Sequence, residues 1–138
     1  MDRFDRGIVM IVEFTGRFAK HKQDLICEAI AFGAHKMFPD AALNADPEIF
    51  INIEATTKKG LCGDCMFWDD NEFTIRLNKS LSISELVTTV LHELVHVSQY
   101  LKGMAMDTTS AYKDRWHEIE AHAMEKLLKE EFDGHRGY

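Results

Sequence analysis

The sequence is poor in cysteine, short of positive charge and without any long apolar run. Three cysteines in 138 residues, an odd number, exclude a disulfide framework as the basis of the fold and fit a reducing compartment. Sixteen Lys and Arg against 23 Asp and Glu give a net charge of −7. That balance argues against a general binder of nucleic acid or of membrane surfaces. No stretch is long and apolar enough to span a bilayer. The opening residues Met1-Asp2-Arg3-Phe4-Asp5-Arg6 are charged, and the short apolar run after them stops at Glu13, a poor match to a signal peptide. Internal repeats and low-complexity linkers are also missing. The expectation is a cytoplasmic, intracellular protein forming one domain over residues 1–138.

What is present is enough to build a core, with 46% hydrophobic and 10% aromatic residues. Residues 7–14 are β-branched and apolar and are predicted as a strand. Residues 17–38 place Phe18, Leu25, Ile26, Ala29, Ile30, Phe32 and Met37 at helical spacing and run into Pro39. Residues 40–47 read as a loop. Alternation over 49–54, a turn at 57–60, a short strand at 65–68, a tight turn at 69–71 and alternation over 72–78 follow. Residues 66–78 thus read as a β-hairpin. A helix is predicted from Ile83 to Leu101. Ser82 is its N-cap, Glu85 completes a capping box, and Gly103 is its stop. After a loop at 104–110 a last helix runs over about 114–132, and residues 133–138 are expected to fray. The predicted fold is α+β: a small, twisted, mostly antiparallel sheet of about four strands with a long N-terminal helix, an active-site helix and a C-terminal helix.

The chemistry concentrates in His92-Glu93-Leu94-Val95-His96. On a helix, residues four apart lie one turn above each other on one face. Two imidazoles so placed can each aim a nitrogen at a single ion, while Glu93 projects to the side, where it can take a proton from water. Two histidines on a solvated helix face would be the bland alternative. A catalytic zinc takes three protein ligands and keeps one position for water. The last helix offers Glu118, Glu120 and His122 as the third.

His-Glu-x-x-His followed on the next helix by Glu118-Ile119-Glu120-Ala121 resembles the gluzincin group of zinc metallopeptidases. The short separation of His96 and Glu118 resembles its small members, the minigluzincins, and so does the run His92-Glu93-Leu94-Val95-His96-Val97-Ser98-Gln99. The resemblance covers residues 72–125 and implies a zincin-like fold. It also implies a Zn2+ cofactor held by His92, His96 and Glu118, with Glu93 as general base in hydrolysis of a peptide or protein substrate. Many members carry Asp after the Ala, where it supports a ligating histidine. Here that position is His122, which keeps His122 and Glu120 open as ligands. The resemblance further implies that the strand at 72–78 lies at the cleft edge and accepts an extended peptide. In some members a C-terminal segment covers the cleft, which here would be residues 131–138.

Tyr112 and His117 are candidate donors to an oxyanion, though each reads equally as a core aromatic or a surface histidine. Cys62-Gly63-Asp64-Cys65 reads first as two thiols at the start of a hairpin. A redox pair, or a zinc knuckle completed by Cys27 and His21 or His35, are its other readings. Two rival functions use the same residues: a binding or regulatory module without hydrolysis, and a metallohydrolase acting on something other than peptides. Retention of Glu93 argues against the first.

Overall fold

The computed structural model describes residues 2–3, 9–38, 48–69, 71–103 and 115–136. The four runs predicted as strands are strands, β2 (Val9–Thr15), β3 (Glu48–Thr56), β4 (Gly63–Asp69) and β5 (Glu72–Asn78), and an unpredicted two-residue strand, β1 (Asp2–Arg3), precedes them. The helices are α1 (Lys20–Met37), α2 (Ile83–Leu101) and α3 (Trp116–Arg136). The architecture is α+β. Four long strands and the two-residue β1 form one sheet in the order β1-β2-β3-β5-β4.

The sheet is mixed, which corrects the mostly antiparallel expectation. β2 pairs with β3 in parallel, and so does β3 with β5; β1–β2 and β4–β5 are antiparallel. Parallel neighbours need a crossover of a dozen or more residues, and α1 supplies it between β2 and β3. β4 and β5 form the predicted hairpin, with a bulge between Phe67 and Asp69. Because β5 inserts beside β3, the strand left at the sheet edge is β4. The expectation that residues 72–78 border the cleft is therefore wrong: β5 is an inner strand.

Period-two alternation sets the two faces of the sheet. Ile49, Ile51 and Ile53 of β3 and Phe73, Ile75 and Leu77 of β5 are buried beneath the helices. On the other face Phe50 and Trp68 remain exposed. α2 lies at the centre of the helical layer and is buried without interruption from Val90 to Gln99. Its start is built as predicted. Ser82 Oγ accepts from the Glu85 amide at 3.2 Å, and Glu85 Oε1 accepts from the Ser82 amide at 3.0 Å. α1 approaches α2 closely at Gly33, where a Cβ would sit 2.5 Å from Leu94 Cδ2. α3 approaches α2 at Ala121, which is fully buried.

The last helix continues through Arg136 rather than ending at Phe132. Its final turn docks on α1: Glu131 pairs with Lys36 at 3.0 Å, Arg136 pairs with Glu28, and the His135 ring lies against Phe32. Residues 131–136 thus continue the helix against α1 instead of fraying from 133 or covering the cleft; the rest of the predicted tail, 137–138, falls outside the described residues. The predicted loops at 40–47 and 104–110 fall outside the described residues. Among the described residues no helix is long and apolar enough to cross a membrane.

Candidate metal centre

α2 presents His92, Glu93 and His96 from its buried stretch, and all three are buried. Glu118 reaches them from the first turn of α3, one helical turn before the small Ala121 that lets the two helices close up. Its Oε1 lies 3.0 Å from His92 Nε2 and 3.0 Å from His96 Nε2. The sequence-predicted His92, His96 and Glu118 are therefore brought to one point.

Gln99, one turn beyond His96, determines what that point can hold. Its Nε2 donates to the His117 carbonyl and to Glu120 Oε1, both at 3.0 Å. Its Oε1 must then face His96, whose Nδ1 donates to it at 2.8 Å. In a neutral imidazole the other nitrogen is a bare lone pair. His96 Nε2 points that lone pair at the Glu118 carboxylate. Two acceptors at 3.0 Å repel unless a cation or a further proton lies between them. A tetrahedral zinc, with bonds of about 2.1 Å, spaces its ligand atoms by about 3.4 Å, a few tenths of an ångström more than the separations seen. Two imidazoles and one carboxylate suit zinc or a similar borderline ion. Burial, aided by the neighbouring His96, pushes the proton affinity of His92 below its ordinary value, against the opposing pull of Glu125 and Glu118. That favours the neutral form that ligates.

Glu93 stands apart from this set. Burial, with the charges of Glu118, Asp64 and Glu125 adding to it, pushes its carboxyl up to about 8. Its Oε2 is buried with no hydrogen-bond partner among the described residues. Two cavities meet at Glu93. One, of about 350 Å³, is lined by Asp64, Cys65, Phe67, His96, His117 and Glu118. The other, of about 470 Å³, is lined by Cys62, Thr89, His92, His122 and Glu125. Leu61, Gly63 and Glu93 border both. The result is a cleft along the edge strand β4 with Glu93 at its middle.

The alternatives for the third ligand go elsewhere. Glu120 is held by Gln99. His122 is half exposed, and its Nδ1 lies 3.0 Å from Glu125 Oε1. His117 is buried, lines the first cavity, and has its Nε2 3.9 Å from Glu118 Oε2. Tyr112 lies outside the described residues. Sequence reasoning missed Glu125, whose Oε2 is 3.2 Å from His92 Nδ1 without completing a hydrogen bond. Its carboxylate stands beside the nitrogen of His92 that faces away from Glu118. Its signal was available, because seven residues past Glu118 is the same face of a helix. Asp64 was missed too; it sits across the hairpin from Arg76 and is bonded by its Nε at 2.7 Å.

The cysteines stand apart from the metal-binding group. Among the described residues the clusters able to hold an ion contain only His and Glu, so no knuckle forms with Cys27, His21 or His35. Burial, with Glu93 and Asp64 adding, pushes the Cys65 thiol well above its ordinary value. With residues 63–65 extended, the Cα atoms of Cys62 and Cys65 are on the order of 10 Å apart, beyond disulfide reach. The pair stays as two thiols.

No family model, no curated protein and no solved structure matches the chain.

Proposed function

We propose that the protein is a zinc-dependent peptidase of the gluzincin kind, with a zincin-like fold, acting on a peptide or protein inside the cell. The observation that carries this reading is the meeting of His92 Nε2, His96 Nε2 and Glu118 Oε1 in a cleft beside the buried Glu93, whose Oε2 has no hydrogen-bond partner among the described residues. His92, His96 and Glu118 would hold the ion, and zinc there supplies Lewis acidity that lowers the pKa of water toward ~7 and polarises a carbonyl.

The chain's own groups do the rest. Glu93 takes the proton of the attacking water on its carboxylate and hands it to the leaving amine. Its low-dielectric surroundings keep that proton affinity close to neutrality, where base and acid roles are both served. The outer edge of β4, which borders the cleft, offers main-chain groups to an extended peptide. His117, on the cavity wall next to Glu118, is positioned to donate toward the developing oxyanion. Gln99 keeps His96 in the tautomer that ligates.

The test is metal analysis of the purified chain joined to cleavage of an unfolded, casein-like substrate. One zinc per chain with cleavage that chelation abolishes and zinc restores supports the reading. Zinc without cleavage of any peptide substrate would instead favour a binding module or a hydrolase of another class.

A further inference from the structure

We infer that the chain carries a second cation site on the opposite nitrogen of His92, formed by His92 Nδ1, His122 and Glu125. His122 and Glu125 stand three residues apart on α3 and so share a helix face. His122 Nδ1 lies 3.0 Å from Glu125 Oε1, and His92 Nδ1 lies 3.2 Å from Glu125 Oε2. Each residue offers one donor atom to a group spanning less than 4.8 Å. The same face of α3 therefore serves both sides of one imidazole, Glu118 at Nε2 and Glu125 at Nδ1.

A second, independent observation points to a ligand. His92 Nδ1 is buried and completes no hydrogen bond, although a carboxylate oxygen stands beside it. An orphaned buried nitrogen costs free energy, and this one lies beside Glu125, with the His122 ring centroid 4.6 Å from that of His92. A cation shared by the three atoms removes that cost. The cavity of about 470 Å³ lined by Thr89, His122 and Glu125 gives it room. His122, half exposed, gives it a way in. Two imidazoles and a carboxylate select a zinc-like first-row dication, not calcium or magnesium, which take mostly oxygen.

The proton balance follows from the shared ring. With an ion on Nε2, neutral His92 would keep its single N–H proton on Nδ1. A second ion takes the Nδ1 lone pair, that proton leaves to solvent, and an imidazolate bridges the two cations. One proton is released by His92 for each second ion bound, so the second site is the weaker and fills only when metal is in excess. Glu93 borders the same cavity. On the peptidase reading, a cation there would stand beside the general base.

The experiment is equilibrium dialysis of the untagged full chain against increasing Zn2+, with bound metal counted by plasma emission. Two ions per chain are expected at saturation in the parent, and one in His122→Ala. Glu118→Gln should lose the tighter ion. Because His122 is half exposed, its removal leaves the core intact, and circular dichroism checks this; His122→Gln is the second variant should Ala unfold the helix. One ion per chain in the parent under excess zinc, or a second ion retained in both His122 variants, overturns the inference. The first result would leave the peptidase reading standing. A parent chain that binds no zinc would overturn both.

Discussion

Gln99 Oε1 accepts a hydrogen bond from His96 Nδ1 at 2.8 Å, and the same amide ties α2 to the start of α3 through the His117 carbonyl. One buried side chain thus sets the tautomer of one ligand and the position of the helix carrying another. Gln99→Leu would leave His96 without its acceptor and the His117 carbonyl without its donor. Zinc affinity should fall about 10- to 100-fold, read by competition with a chelator. Stability should fall by about 1–3 kcal/mol, read by urea unfolding. Loss of stability with unchanged zinc affinity would mean that Gln99 only packs.

Glu93→Gln separates metal binding from chemistry. The amide keeps the shape of the side chain and cannot take a proton from water. Zinc content should match the parent, while turnover of the casein-like substrate should drop by a factor on the order of 10²–10⁴. Parental turnover in this variant would remove Glu93 from the mechanism.

The parts legible in the sequence were those fixed by local pattern. The period of α2, its capping box at Ser82 and Glu85, and the hairpin of β4 and β5 all depend on residues close in the chain. The motif on α2 and the Glu118 carboxylate were visible for the same reason: helical spacing converts sequence distance into direction. Strand order was not legible. Ile51 pairs alongside both Val12 and Phe73, and nothing in the alternation of β3 says whether its neighbours run parallel. That is set by the crossover through α1, a property of the whole chain. Glu125 was hidden differently. The residue directly after Ala121 is His122, and the carboxylate stands one turn further along the same face.

The raised proton affinity of Glu93 makes a prediction about the metal-free protein. Its carboxyl moves from an ordinary 4.5 to about 8 on folding. Below pH 4.5 it is protonated in both states and costs nothing. Between 4.5 and about 8 the unfolded chain ionises first, so stability falls as pH rises through that window and levels off above it. His92, held below its ordinary value, works in the opposite direction: its cost is present at low pH and disappears as pH rises. Comparing the parent with Glu93→Gln cancels the histidine. The stability gained by Gln should grow from pH 5 to pH 8 by on the order of a few kcal/mol, measured by urea unfolding in chelator. A difference independent of pH would show that Glu93 is ionised throughout.

The close approach of α1 to the motif helix can be tested with two glycines. A Cβ at Gly33 would stand 2.5 Å from Leu94 Cδ2 and 3.3 Å from Leu91 Cδ2, while a Cβ at Gly134 would meet nothing within 4 Å. Both lie inside helices, where replacing Gly by Ala gains up to about 1 kcal/mol from backbone entropy. At Gly134 that gain stands alone, so Gly134→Ala should stabilise by up to about 1 kcal/mol. At Gly33 it is opposed by overpacking, worth about 1–3 kcal/mol, because Leu94 is fully buried. Gly33→Ala should therefore destabilise by about 1 kcal/mol, and the displaced Leu94 lies between His92 and His96 in the chain. Thermal unfolding of the two variants side by side decides it. If both gained stability equally, helix propensity would outweigh contact, and the packing of α1 against Leu94 would not be what holds the ligand helix in place.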